Sequence, residues 1–189
     1  MIRKISIISL FLTTALSFTA CTGDEKEADS KVIAEERNDA KFSAEEKSVA
    51  DFMVDVADIV LCEIKISSSA AEKGSLQFTK DYATKMIETH KKVYEEIKTL
   101  AAKKSITIPT DMSKEAIEIY ESIKEESVEK FDEVYCAQMI SSHKETISKF
   151  EKAAKDTADL EIQTWAQNIL PKLRMELDEA YACEDAHTK

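Results

Sequence analysis

Glycine and proline are scarce in this chain: of its 189 residues, only two are glycine and two are proline. Strands and hairpins need such residues at frequent turns, so their scarcity argues against a sheet and favours a few long helices. Charged residues make up 33% and hydrophobic residues 43%, which is typical of amphipathic helices. We therefore predict an all-α protein, and its length suits a single ordinary domain.

Signatures of catalysis and of nucleic-acid binding are also missing. The sequence has no Ser-His-Asp order, no Cys-His pairing, no phosphate-binding loop and no paired-carboxylate hydrolase signature. The net charge of −11 repels nucleic acid and anionic lipid head groups. We therefore expect no nucleic-acid partner and no enzyme of a recognised class.

Residues 1–20 read as a signal peptide. Two basic residues precede an apolar run over 5–18, and small residues precede Cys21. The run has about 14 residues, whereas a membrane-spanning helix needs ~20. The four residues ending at Cys21 resemble a lipobox, although Phe18 stands where Leu is commoner. We predict that Cys21 is acylated; the alternative is an ordinary cysteine after a plain secretory signal.

The segment after Cys21 predicts a membrane-anchored tether. Cleavage before Cys21 would remove two basic residues and leave a net charge of −13. Thr22 follows the cysteine instead of Asp, which by lipoprotein sorting rules indicates the outer membrane, on either its periplasmic or its surface face. Residues 21–42 are polar and lack periodicity, so we predict a lipidated cysteine followed by a disordered tether. The folded domain is predicted over 43–185.

Start and stop signals divide 43–185 into four helices that fit an up-down-up-down bundle. The third is expected as a short segment over 114–124 and a longer one over 128–154, and Pro171 predicts a kink in the fourth. In chain order the signals are a capping box at Ser43 and Glu46, an end at Gly74, a cap at Ser75, a break at Ile108-Pro109, a cap at Ser113 and a cap at Thr157 or Asp159.

Ionisable side chains fall on the apolar stripes of all four helices. Glu63, His90 and His143 come out at similar depth when residues are counted along the helices, and Asp132 and Glu176 come out lower. Burial of such groups is costly unless they pair or bind a metal. We therefore predict one cluster of Glu63, His90 and His143, and a second cluster of Asp132 and Glu176.

The first cluster has the chemistry of a metal site. Imidazole and carboxylate ligands suit zinc, iron or manganese, so a mononuclear site is reasonable. A di-iron site of the Glu-x-x-His type is excluded, because Ile87 and Ile140 stand three residues before the histidines. The alternative is a buried ion-pair network that only sets the packing.

Two further patterns concern the second and third helices and the cysteines. Tyr82, Met86 and His90 recur at the same spacing as Tyr135, Met139 and His143, through duplication or by coincidence. The three cysteines after Cys21 are expected on different levels of the bundle, beyond disulfide reach, as small core residues. They are Cys62, Cys136 and Cys183.

A set of residues spread from Phe52 to Ala182 carries a family resemblance. The main ones are Phe52, Glu63, Tyr82-Ala83, Met86-Ile87, His90, Ile108-Pro109, Phe131-Asp132, Tyr135, His143, Trp165-Ala166 and Leu170-Pro171-Lys172-Leu173. In these the chain resembles an uncharacterised bacterial family of ferritin-like exported proteins, often labelled outer membrane proteins. The resemblance implies a ferritin-like bundle and export, but no activity. The chain departs from the family at Glu176, where His is usual.

Three functions remain open at the level of sequence, and the one with the least support is an enzyme of another class, since no catalytic motif is present. The first is a cell-envelope lipoprotein whose bundle has a non-catalytic binding or structural role, with an unknown protein partner. The alternative is a metal-binding bundle with an iron-handling or redox role.

Overall fold

A computed structural model describes residues 29–187, and within that range every regular element is an α-helix. The predicted all-α class is confirmed. None of these helices combines the length and the apolarity that a membrane crossing needs. The predicted signal peptide and Cys21 lie outside the described residues. The helices are α1 (Ser30–Asp39), α2 (Ala44–Lys73), α3 (Gln77–Lys104), α4 (Lys114–Lys124), α5 (Val128–Asp156) and α6 (Leu160–Asp185).

Most helix ends lie where the capping signals predicted them. The Glu46 carboxylate accepts a hydrogen bond from the Ser43 backbone N–H at 3.0 Å, as a capping box requires. The hydroxyl of Ser113 accepts from the third residue of α4, and Asp159 caps α6. Gly74 ends α2, and a Cβ there would lie 2.7 Å from the Ala70 carbonyl oxygen, so a larger residue would have to shift the backbone. α6 continues past Pro171 without ending.

The predicted disordered tether is wrong over α1. Asp29 caps this helix by accepting from the backbone N–H groups of Lys31 and Val32. Its other carboxylate oxygen accepts from Lys114 N at 2.8 Å, which joins α1 to the start of α4. The fully buried Asn38 donates to the carbonyl of Thr107 at 2.7 Å and accepts from its N–H at 2.8 Å. These contacts to distant residues hold α1 in a fixed position. The sequence of this polar segment has no apolar periodicity, so it gives no sign of them.

The four-helix bundle of α2, α3, α5 and α6 is confirmed, but its helix directions differ from the predicted order. Ser67 contacts Tyr135 near one end of the α2–α5 pair, and Asp55 pairs with Lys149 near the other, so these helices are antiparallel. α3 and α6 are antiparallel as well, as the pairs Lys85–Glu179 and Lys103–Glu161 show.

The order is therefore up-down-down-up, because α4 returns the chain along α2 before α5 begins. The Ser113 N–H donates to Asp58 at one end of α4, and Lys73 donates to the Lys124 carbonyl at the other. The short segment that the sequence placed inside a third helix is thus a separate crossover. It makes α3 and α5 run in the same direction.

The parallel course of α3 and α5 brings their repeated residues side by side. The rings of Tyr82 and Tyr135 have centroids 6.0 Å apart, and those of His90 and His143 have centroids 5.7 Å apart. The two tyrosines therefore lie at one level along the bundle axis, and the two histidines lie at another. The repeated residues thus occupy equivalent positions on α3 and α5, whether the repeat arose by duplication or by coincidence.

The hydrophobic core is divided into two clusters along the bundle axis. One cluster includes Val56, Phe150 and Ile162, and the other includes Ile66, Met86 and Tyr135. The two histidines and the buried glutamates belong to neither cluster. A polar layer of these ionisable side chains thus lies between the two apolar clusters, at mid-height of the bundle.

Candidate metal centre

Each of the four long helices contributes one ionisable side chain to this polar layer. Glu63 comes from α2, His90 from α3, His143 from α5 and Glu176 from α6. Their exposed fractions are 3%, 2%, 0% and 5%. The predicted grouping of Glu63, His90 and His143 is confirmed, and one ligand atom from each of the three lies within 4.8 Å of the others.

Glu176 belongs to the same cluster, which we call the Glu/His cluster. Its carboxylate lies 3.8 Å from His90 Nε2 and 3.6 Å from His143 Nε2. On the other side, Glu63 lies 3.5 Å from His90 Nδ1 and 3.7 Å from His143 Nδ1. Two imidazoles are therefore placed between two carboxylates.

Hydrogen bonds from outside the cluster orient two of its members. The Nδ1 atom of His143 lies 2.8 Å from the Met139 carbonyl oxygen, which can only accept, so Nδ1 carries the proton. In the neutral ring this leaves the Nε2 lone pair free, on the side of Glu176. Ser142 donates its hydroxyl proton to Glu63 at 2.6 Å. Such outer hydrogen bonds are the usual way in which metal-binding histidines and carboxylates are held.

Among residues 29–187, three ring nitrogens of the cluster are buried and find no hydrogen-bond partner: both nitrogens of His90 and Nε2 of His143. Their distances to the carboxylates exceed the ~2.7–3.2 Å of a good N–H···O bond. Buried polar atoms without partners are uncommon in folded proteins. The cluster thus has unused ligand capacity at its centre and could hold a metal ion.

The charges of the cluster reinforce each other. Burial opposes the ionisation of Glu176, but contact with His143 and His90 outweighs it and lowers the pKa of this carboxyl to about 2. Burial likewise opposes protonation of His143, but the carboxylates of Glu63 and Glu176 outweigh it and raise the pKa of this imidazole. At neutral pH Glu176 is therefore an anion that attracts a cation, either a proton on the imidazoles or a metal.

A cavity of about 320 Å³ connects the Glu/His cluster with the surface between α3 and α6. Glu63, His90 and Glu176 form part of its wall, and Lys85 and Lys172 also line it. Since the cluster itself is almost fully buried, this cavity is the opening in the described structure through which a small ion could reach it.

Comparison with known proteins identifies the family. Residues 34–183 match the model of a family described as Domain of unknown function (DUF4142). The chain belongs to this family. The predicted membership of an uncharacterised family is thus confirmed, and all four residues of the Glu/His cluster lie inside the DUF4142 match. No curated protein and no solved structure matches the chain.

The predicted second cluster of Asp132 and Glu176 is wrong. Asp132 lies at the end of the DUF4142 bundle, where its carboxylate accepts from the backbone N–H groups of Ser75 and Leu76 in the connection just before α3. The expected cap, Ser75, instead donates its own hydroxyl to Asp132 at 2.8 Å. The error follows from the helix directions. In the observed up-down-down-up order, α5 begins beside Gly74. α6 then runs antiparallel to α3, which places Glu176 at the same level along the bundle axis as His90.

The prediction that the cysteines lie beyond disulfide reach is also wrong for two of them. Cys136 and Cys183 form a disulfide between α5 and α6, with Cα atoms 5.7 Å apart. An error of four residues in an assumed helix end moves a side chain by ~6 Å along the axis, enough to hide such a pair. Cys62 remains a free, buried core cysteine, as predicted.

Sequence reasoning also missed His187. Its Nε2 atom lies 3.8 Å from Cys136 Sγ and 3.2 Å from the Thr79 hydroxyl. The signal was present as Cys183-x3-His187, a spacing that puts both side chains on one face of a helical turn.

Proposed function

We propose that this DUF4142 protein is a non-catalytic, metal-binding protein of the cell envelope, with one divalent ion held by the Glu/His cluster. The observation that carries the proposal is the set of three buried ring nitrogens that have no hydrogen-bond partner in the described part of the chain and that face two buried carboxylates. Zinc, iron or manganese suits such a ligand set. The ligands would come from Glu63, His90, Nε2 of His143 and Glu176.

The spacing of the ligand atoms supports a metal over a hydrogen-bonded network. The carboxylate of Glu176 lies 3.8 Å from His90 Nε2 and 3.6 Å from His143 Nε2. Around a tetrahedral ion with bonds of ~2.0–2.2 Å, neighbouring ligand atoms lie ~3.3–3.6 Å apart. These atoms thus need only small shifts to surround an ion, whereas hydrogen bonds would require a closer approach. Glu63 is near enough to join them, because one of its oxygens lies within 4.8 Å of a nitrogen of each ring.

The chain connectivity supports the proposed ferritin-like character of the bundle. Ferritin-like bundles have one long crossover between two antiparallel helix pairs, and the segment containing α4 is such a crossover. The absence of Glu-x-x-His pairs at Ile87 and Ile140 argues for one ion instead of two. An iron-handling role is compatible with this site, but the first test concerns binding alone.

Metal analysis of the purified protein tests the proposal. After equilibration with Zn²⁺, Mn²⁺ or anaerobic Fe²⁺ and removal of free ion, we expect about one ion per chain for at least one metal. Glu63→Gln and Glu176→Gln preserve side-chain volume and remove one ligand each, so each should weaken binding at least about tenfold.

Glu179→Gln is the matched control. It removes a carboxylate three residues from Glu176 that pairs with Lys85 outside the cluster, so its binding should equal that of wild type. A folded wild-type protein that retains none of the three metals would refute the proposal. The cluster would then be a buried ionic network that sets the packing.

We also propose that the protein is anchored to the outer membrane through a lipid on Cys21. The support is the sequence pattern of residues 1–21, together with the acidic character of the chain, which gives it no charge-based attraction to anionic lipids. Acyl chains are therefore needed for stable attachment.

The anchor predicts a specific loss on mutation. In cells, the wild-type protein should sediment with membranes and carry an acylated Cys21 by mass spectrometry, whereas Cys21→Ser should abolish acylation and membrane sedimentation. Cys62→Ser, at a buried cysteine, is the control and should leave both unchanged. An unmodified Cys21 in the mature wild-type protein would contradict the proposal.

A further inference from the structure

Cys136, Cys183 and His187 form a second cluster of ligand-type side chains, at the end of the bundle near the α2–α3 connection. We call it the Cys/His cluster; one ligand atom from each of its three residues lies within 4.8 Å of the others. Both cysteines are fully buried, and His187 is half-buried on the turn that follows α6. This cluster is separate from the Glu/His cluster, because seven residues, or ~10 Å of helix, separate Cys136 from His143.

We propose that reduction of the Cys136–Cys183 disulfide creates a metal site with two thiolates and one imidazole, which takes a zinc-class ion. Zinc sites with two cysteines and one histidine are chemically familiar, with the fourth position taken by water or another oxygen ligand. Thr79, whose hydroxyl lies 3.2 Å from His187 Nε2, supplies a neighbouring oxygen.

The geometry supports this site beyond the presence of two cysteines. With Zn–S bonds of ~2.3 Å and Zn–N bonds of ~2.0 Å, a sulfur and a nitrogen ligand lie ~3.5 Å apart. His187 Nε2 and Cys136 Sγ are 3.8 Å apart. The two cysteines approach from facing helices with Cα atoms 5.7 Å apart, so their sulfurs can separate by side-chain rotation while the helices stay in place.

The redox step balances with a dithiol reductant. Its two thiols transfer two electrons and two protons to the Cys136–Cys183 disulfide and become a disulfide themselves, leaving two thiols on the protein. Binding of Zn²⁺ then releases those two thiol protons, because only the thiolates are ligands. Oxidation of the two cysteines reverses the sequence and expels the ion. The disulfide form and the metal form are thus mutually exclusive.

Co²⁺ titration of the reduced protein tests the proposal, since Co²⁺ is a coloured substitute for Zn²⁺. After reduction with a dithiol and removal of the dithiol under anaerobic conditions, Co²⁺ should give an ultraviolet thiolate-to-cobalt charge-transfer band, which the oxidised protein should lack. Excess Zn²⁺ should remove the band. Only thiolate ligation produces it, so Co²⁺ in the Glu/His cluster, where no thiol is a ligand, does not interfere.

Two variants distinguish the ligands. His187 lies on the turn after α6, so the His187→Ala variant should fold. We expect its affinity for Co²⁺ to be at least about tenfold weaker than that of the wild type. Cys62→Ser is the control. Burial raises the pKa of the Cys62 thiol to about 12, so this cysteine stays protonated and its loss should leave the band unchanged.

Three outcomes would overturn the proposal. The first is the absence of the charge-transfer band in a reduced protein whose helical circular dichroism is intact. The second is loss of the helical signal on reduction, which would make the disulfide a structural cross-link only. The third is an unchanged Co²⁺ affinity in His187→Ala, which would remove the histidine from the site.

Discussion

The Asp132→Ala variant is expected to unfold roughly 6–12 °C below wild type, because it should lose about 3 kcal/mol of stability. Asp132 is only 2% exposed, and its carboxylate accepts from two backbone N–H groups and one hydroxyl at distances of 2.8–3.0 Å. These N–H groups lie in the α2–α3 connection immediately before α3, and only Leu76, the N-cap residue, adjoins the helix, whose first donors have no internal partners. Alanine leaves both unsatisfied, at ~1–3 kcal/mol each if no water replaces the carboxylate.

Thermal and urea unfolding measure this effect. Asp132→Asn retains one acceptor oxygen and should lose less than Asp132→Ala. Asp81→Ala is the matched control on the exposed surface of α3, where the Asp81 carboxylate accepts from the Gln77 side chain, and it should stay within about 0.5 kcal/mol of wild type. Equal unfolding of Asp132→Ala and wild type would show that water replaces the carboxylate as the partner of the Ser75 and Leu76 N–H groups.

The contribution of Asp132 also has a pH signature. Burial opposes its ionisation, but hydrogen bonds from Leu76 and Ser75 outweigh it and lower the pKa of the carboxyl below 3.8. Because the folded pKa is depressed, the stabilisation is fully present above the unfolded pKa and is lost as pH falls through the folded one. The stability gap between wild type and Asp132→Ala should therefore narrow only in strong acid.

Local signals made most of the helix limits predictable. Ser43, Gly74, Ser113 and Asp159 act through residues within a few positions, so their effect is visible in the sequence. α1 was missed because its stability depends on partners far along the chain, such as Thr107 for Asn38. Sequence patterns show only local interactions, so a polar segment that is held by distant partners is predicted to be disordered.

The site was partly predictable for a related reason. Helical periodicity states which face of a helix Glu63 or Glu176 occupies, but not which way the helix runs. Direction depends on whether residues 114–124 act as a crossover or as part of a longer helix, a decision made by tertiary contacts such as Asp58 with Ser113. Once α6 is reversed, Glu176 moves from a separate cluster into the Glu/His cluster.

The ion in the Glu/His cluster should change how stability depends on pH. In protein stripped of metal by a chelator, a proton on His143 supplies the cation that the buried carboxylate of Glu176 needs. The raised pKa of His143 means that its contribution is fully present below the unfolded value of 6.5 and is lost as pH rises through the folded one. The depressed pKa of Glu176 means that its contribution is present above 4.5 and is lost as pH falls toward about 2. The cluster therefore stabilises the metal-free protein most between these unfolded values.

Without metal, the stability that His143 contributes falls as the pH rises above neutrality. Metal binding should reverse this fall, because the ion needs deprotonated imidazoles and competes with their protons. Zn²⁺ at about 100 times its dissociation constant should add ~2.7 kcal/mol, or roughly 5–10 °C in Tm, near pH 8, and clearly less near pH 5.5. The chelated protein should instead melt higher near pH 5.5 than near pH 8. Calorimetry with Zn²⁺ and with chelator at both pH values measures this crossing.

The Glu176 carboxylate acts in both the metal-free and the Zn²⁺-bound protein. Glu176→Gln should therefore flatten the pH dependence of stability in the chelated protein and also reduce the rise in Tm on Zn²⁺ binding. Glu179→Gln should do neither. If the chelated wild-type protein became more stable from pH 5.5 to pH 8, His143 would be a neutral core residue, and the link between proton and metal in this cluster would be wrong. A flat chelated profile in Glu176→Gln with an unchanged Zn²⁺ shift would instead mean that the ion is held on the Glu63 side, with Glu176 serving only the protonated state.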